Sequence, residues 1–248
     1  MINFLTAEYS KLLKRKNFYI ALTLMILTSL ANLILFFIFH DLSVVTESDM
    51  QEIMIRLVSN KFMAIIMVFM TTVFLAGTNG HMVKNAITIG YSRIEIYFAK
   101  LFVGGTILLM LLFTSMVTTM AFCGIWLNEI FTIDAFWFAL ARYALAAMLY
   151  LALFAISLTL CYILNSNTLF AIVYFIIFLV CSEIISTIAT INSNLAYLQK
   201  LTITYQLSSL QYTDNSFPMW PYIISITPTY TLITAIIGSV IVNRKDIK

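Results

Sequence analysis

The sequence predicts an all-α membrane protein that crosses the bilayer six times. Two features of composition and one of charge placement point there. Hydrophobic residues make up 62% of the 248 and charged residues only 10%, whereas a soluble domain is about half apolar and a quarter charged. A fold of this size cannot hide that much apolar surface from water. Charges are also missing from five long intervals, 17–40, 62–83, 101–128, 143–182 and 215–243, and one span needs roughly 20 apolar residues. These facts argue against a soluble globular enzyme and against a disordered tail. The net charge of +3 is too mild for a nucleic-acid binder.

The interval 143–182 is long enough for two spans, and the polar triplet Asn165, Ser166 and Asn167 divides it. The predicted spans are therefore 17–40, 62–83, 101–126, 138–163, 168–189 and 222–242. Phe, Leu, Ile, Met and Ala dominate them without the alternation of a membrane barrel, which leaves helices as the backbone that satisfies itself in lipid. Ten of the fourteen Lys and Arg fall on one side, at 11–16, 84–100 and 244–248, against Arg56, Lys61, Arg142 and Lys200 on the other. The positive-inside rule then puts both termini and the 84–100 loop in the cytoplasm. Asp41, Glu47, Asp49, Glu52, Glu129, Asp134 and Asp214 lean outward.

Ahead of span one, Ile2, Leu5, Tyr9 and Leu12 recur at helical spacing, with Glu8, Lys11 and Arg15 on another face. This is the pattern of an amphipathic helix lying in the interface, its cations toward anionic lipid. An ordinary positive-inside flank would read the same way. The apolar run is too long for a cleaved signal peptide.

Between spans two and three, Val83, Ile87, Tyr91, Ile94, Phe98 and Leu101 keep a helical period, with Lys84, Arg93 and Lys100 around them. Gly90 interrupts the run and suits the left-handed position that ends a helix. Ser92 and Glu95 form an S-x-x-E capping box that starts the next one. The result is a helix–turn–helix elbow able to dock in a groove on a cytoplasmic partner. A plain capped loop between two spans is the competing reading.

Chemistry has little to work with. No phosphate-binding loop, nucleophile elbow or metal-ligand spacing occurs, so no catalytic, cofactor or metal residue is assigned. Cys123, Cys161 and Cys181 fall inside apolar runs and read as small core residues. His40 and His81 read as a helix end and a helix face. Arg142 and Glu183 are the charges set deepest in the spans. They stand roughly 34 and 27 Å above the turn at Asn165 at 1.5 Å per residue, a difference that arginine's length could close; an ion pair between them, or snorkelling of each to the interface, is one reading, and an anionic contact for a cationic substrate is the other. Ala141, Ala144, Met148, Ala152, Ala155 and Thr159 form a small-residue stripe on span four, suited to close helix packing within one chain or between two. Leu195, Leu198, Leu201 and Tyr205 predict a further helix on the outer face, followed by an irregular stretch to Pro218 and Pro221.

The chain resembles the membrane subunits of ABC-2-type transporters of low-GC Gram-positive bacteria. The likeness is carried by the amphipathic start with Lys11, Lys14 and Lys16, by Lys84-Asn85 followed by Gly90-x-Ser92-Arg93 and Lys100, and by the closing Asn243-Arg244-Lys245-Asp246. It implies one ABC-2-type transmembrane domain over 1–248, in a multi-pass cell-membrane protein that pairs with a second permease copy, as a homo- or heterodimer. It also implies a cytoplasmic ATPase subunit that holds ATP and Mg, so that the chain is not itself an enzyme. Val83, Lys84, Ile87, Gly90, Ser92, Arg93 and Glu95 would then couple to that ATPase. The narrower likeness is to exporters of antimicrobial peptides or amphipathic toxins, the phenol-soluble-modulin exporters among them. The readings that compete with an exporter are an ion-coupled secondary transporter, for which the spans are poor in midplane charge, and an intramembrane enzyme or a non-transporting sensor or assembly subunit.

Overall fold

A computed structural model describes residues 2–39, 46–76, 87–88, 90–127, 131–164, 166–192, 195–211 and 220–244. Among them every regular element is helical. In chain order these are α1 (Ile2–Leu13), α2 (Lys16–Phe39), α3 (Glu47–Ser59), α4 (Lys61–Ala76), α5 (Arg93–Trp126), α6 (Ile133–Ile163) and α7 (Asn167–Phe175). A π-helical turn, Ile176–Cys181, joins α7 to α8 (Ser182–Ile191), and α9 (Ala196–Leu201), α10 (Ile203–Ser209) and α11 (Trp220–Arg244) follow. Six stretches are long and apolar enough to span a membrane: Phe18–Phe36, Glu47–Leu75, Arg93–Trp126, Ile133–Ile163, Asn167–Ile191 and Trp220–Arg244. The chain is thus an all-α, multi-pass membrane protein.

The second span differs from its predicted range. The helical stretch that holds it reaches back to Glu47, because α3 and α4 follow one another across Asn60. The Thr46 hydroxyl caps α3 by accepting from the Asp49 amide at 3.4 Å, and the Thr46 amide donates to the Asp49 carboxylate at 2.9 Å. Glu47, Glu52 and Arg56 stay exposed while Met50, Met54, Ile55 and Val58 are buried. Charges confined to one face let a helix enter the bundle that a search for charge-free windows passes over.

Two helices form the centre. Within the most apolar window of each span, 61% of residues are buried in α5 and in α6, but only 17% in α2, in α7–α8 and in α11. The peripheral helices therefore present most of their surface outward. In lipid, helices are held by close packing and interhelical hydrogen bonds rather than by the hydrophobic effect. Thr72 and Ser157 share a 2.7 Å bond, the Tyr174 hydroxyl donates to the Ile65 carbonyl at 2.8 Å, and the Tyr150 hydroxyl donates to the Val58 carbonyl at 3.2 Å. Such bonds contribute about 0.6 kcal/mol each on average. Small residues allow the closest approaches. A Cβ on Gly104 would overlap the Phe154 ring, and one on Gly238 would overlap Tyr97 and lie 2.9 Å from Thr159 Oγ1.

After α8, two short helices stand where the sequence predicted a single one. Tyr197, Leu198 and Leu201 of α9 are exposed, and Ile203, Leu207 and Leu210 enter the core instead. A break at Thr202 shifts the buried face by starting a new helix. Pro221 lies in the first turn of α11, where its missing N–H costs nothing. The polar Asn165, both histidines and Pro218 lie outside the described residues.

Candidate functional site

The turn that leads into α5 is short and tightly specified. Ile87 and Thr88 have helical backbone, and the Gly90 amide donates to the Ile87 carbonyl at 2.9 Å. Gly90 has φ +102°, which a side chain would strain. Space is not the reason, since a Cβ there would meet nothing within 4 Å. The chain then runs extended into Ser92, the cap of α5. Ser92 Oγ accepts from the Glu95 amide at 3.2 Å, and the Ser92 amide donates to the Glu95 carboxylate at 2.9 Å. This reciprocal pair satisfies donors that a helix start leaves open. Val83 and Lys84 lie outside the described residues.

Three neighbours hold this elbow. The first is α1. Phe4 is buried against Ile96 and Ala99, with Leu5, Ile87 and Tyr91 at the edge of the cluster. The Phe4 and Tyr91 ring centroids are 4.9 Å apart, and farther along the Tyr9 and Thr106 hydroxyls share a 3.0 Å bond. Ile87 and Tyr91, which the sequence offered to a partner, thus pack on the chain's own first helix. An amphipathic helix must cover its apolar face, and the stripe at the start of α5 is beside it. Thr88, Gly90 and Ser92 remain exposed, with Arg93 half-buried next to them.

The second neighbour is α11, where Arg93 Nη1 donates to the Asn243 carbonyl at 3.5 Å. The third is α4. Lys100 is only 3% exposed, and its ammonium donates to the Leu75 carbonyl at 3.2 Å. Leu75 sits in the last turn of α4, where carbonyls lack intrahelical partners and a cation complements the helix dipole. A lysine set this deep is costly in lipid unless engaged in this way. The turn and the first two turns of α5 are thus tied to α1, α4 and α11.

The sequence pattern of the ABC-2 family transporter proteins matches residues 4–182. The chain belongs to this family. No curated protein matches it. Membership makes the chain a permease-type membrane subunit of an ABC transporter.

The remaining sequence-derived sites of this ABC-2 transporter protein lie away from the elbow. Glu183 on α8 pairs with Lys61 at the start of α4, and this contact stands where a bridge to Arg142 was one expectation. Arg142 on α6 is 6% exposed and turned inward, its guanidinium carbon 4.8 Å from the Phe138 ring centroid. The Glu183 side chain is 56% exposed. A π turn, Ile176–Cys181, immediately precedes α8.

On α6 the small-residue stripe divides. Ala152, Ala155 and Thr159 are buried inside the chain, and Thr159 Oγ1 donates to the Thr234 carbonyl of α11 at 3.2 Å. Met148 is half-buried, while Ala141 and Ala144 are exposed. Sequence reasoning missed three positions of weight. Lys61 was read as a loop charge, Lys100 was placed on the elbow without its bond to Leu75, and Gly238 lies in an apolar run with no signal at all.

Proposed function

We propose that this ABC-2 transporter protein is the membrane-spanning subunit of an ATP-driven exporter of amphipathic peptides, antimicrobial peptides or peptide toxins among them. A separate ATPase subunit holds ATP and Mg and supplies the work. The single observation that carries the reading is the capped, glycine-turned elbow at the head of α5, held by three neighbouring helices in a chain of this family. In this reading the basic side of the bundle, with both termini, faces the cytoplasm of a Gram-positive cell. The ATPase docks on the exposed edge from Thr88 to Arg93. A second permease copy, identical or related, completes the transport path against the outward surfaces of the peripheral helices. The 13 Met and 20 Phe residues suit an adaptable apolar cargo.

The test is a mild-detergent pull-down of the tagged chain followed by an ATPase assay. The wild-type chain is expected to bring down an ATPase whose hydrolysis is stimulated by amphipathic peptide. Gly90→Val and Arg93→Glu are expected to abolish that stimulation. A partner that stays fully coupled in both variants moves the docking site elsewhere. No ATPase in several detergents overturns the exporter reading and favours an ion-coupled or non-transporting protein.

A further inference from the structure

Between α2 and α4 runs an apolar groove of about 520 Å³. Leu24 and Met25 form one wall, Met67 and Met70 the other, and Leu111 and Tyr150 the floor. It opens sideways: Met70 is 63% and Leu24 55% exposed. The groove exists because α2 rests on α5 and stands off from α4.

Its few polar groups are already committed. The Thr28 hydroxyl donates to the Met25 carbonyl at 3.0 Å, the Thr71 hydroxyl to Met67 at 2.8 Å, and the Tyr150 hydroxyl to Val58 at 3.2 Å. The interior therefore suits a flexible hydrocarbon, and methionine walls can follow its shape. One end of the groove is different. There Phe18 and Phe74 form the mouth, and the Arg15 guanidinium carbon lies 5.1 Å from the Phe74 ring centroid. Lys14 and Lys16, the neighbours of Arg15 in sequence, are exposed. The start of the 24-residue α2 adds its positive dipole end at the same place. Glu8, the acid of α1, is engaged by Lys11 at 3.2 Å.

We infer that the groove between α2 and α4 is a binding site for one anionic phospholipid, with an acyl chain between the methionine walls and the phosphate at Lys14, Arg15 and Lys16. Charge favours this occupant over a second copy of the chain. A twofold interface sets the same patch against itself, and centred on this groove it would gather the cationic mouths of both copies at one contact.

The test uses the full chain in phosphatidylcholine nanodiscs, without ATP or any partner, so the result is independent of the exporter reading. The discs carry a trace of diazirine-acyl phosphatidylglycerol or diazirine-acyl phosphatidylcholine, and labelled peptides are mapped by mass spectrometry. Phosphatidylglycerol is expected to label the segments around Met25 and Met67 more strongly than phosphatidylcholine does. Arg15→Gln is expected to lower that labelling about fivefold, the worth of one cation near an anionic surface. Met70→Trp, which fills the groove, removes labelling by both lipids. Lys14→Gln with Lys16→Gln repeats the charge test should the arginine variant misfold. Equal labelling by the two lipids, or labelling indifferent to both charge variants, overturns the inference. So does a Leu24→Cys disulfide between two copies in discs where lipid leaves no label.

Discussion

Gly90 separates backbone strain from crowding, because its φ of +102° forbids most side chains while the space around it is open. Gly90→Ala should therefore destabilise by about 1–2 kcal/mol although it touches nothing, read as a lower melting temperature in detergent. A variant as stable as the parent would show that the turn relaxes into another conformation at no cost. The Lys61–Glu183 pair makes the opposite case. It joins two spans, yet its side chains are 30% and 56% exposed. Glu183→Gln should change stability by less than about 1 kcal/mol, as for other solvent-screened pairs. A loss of several kcal/mol would mean that this pair, and not the packing beneath it, fastens α8 to α4.

At the scale of elements, the elbow depends on α1 as much as on its own cap. Phe4→Ala removes the ring that covers Tyr91 and should raise amide hydrogen exchange across residues 87–96 while leaving α6 protected. Unchanged exchange there would show that the Ser92–Glu95 cap holds the turn alone. The cap was legible in the sequence because a capping box is a local rule with fixed spacing. The first helix was legible from its period, but its seat was not, since Phe4 and Tyr91 are brought together only by the fold. The helix α3 was hidden for a related reason. Its charges occupy one face, and a linear search for uncharged windows does not see faces. The partner of Glu183 was not legible because heights along two spans do not say which neighbouring helix a side chain faces, and Lys61 on α4 is the one it meets.

At the scale of the whole molecule, α5 and α6 form a buried centre and the other spans pack around it, closely where small residues permit. Gly238 and Gly124 test this directly. A Cβ on Gly238 collides with Tyr97, whereas one on Gly124 meets nothing within 4 Å. Gly238→Leu should cost about 1–3 kcal/mol by forcing α11 away from α5 and α6, and Gly124→Leu should be tolerated. Equal melting temperatures for the two variants would mean that α11 is held by its ends and not by this contact. The number of spans was readable from charge spacing, since lipid imposes one length on every crossing. The identity of the central helices was not, because all the spans are apolar and only packing ranks them.

The contact between α1 and α5 also constrains how the protein is made. Tyr9 and Thr106 are 97 residues apart in the chain. At about 5–20 residues per second of synthesis, the first helix emerges roughly five to twenty seconds before the surface it will cover. Through that interval it has no protein partner for its apolar face. A helix able to rest in the headgroup region can wait there, so the nascent chain stores its own clasp on the membrane surface until the third span arrives to be fastened.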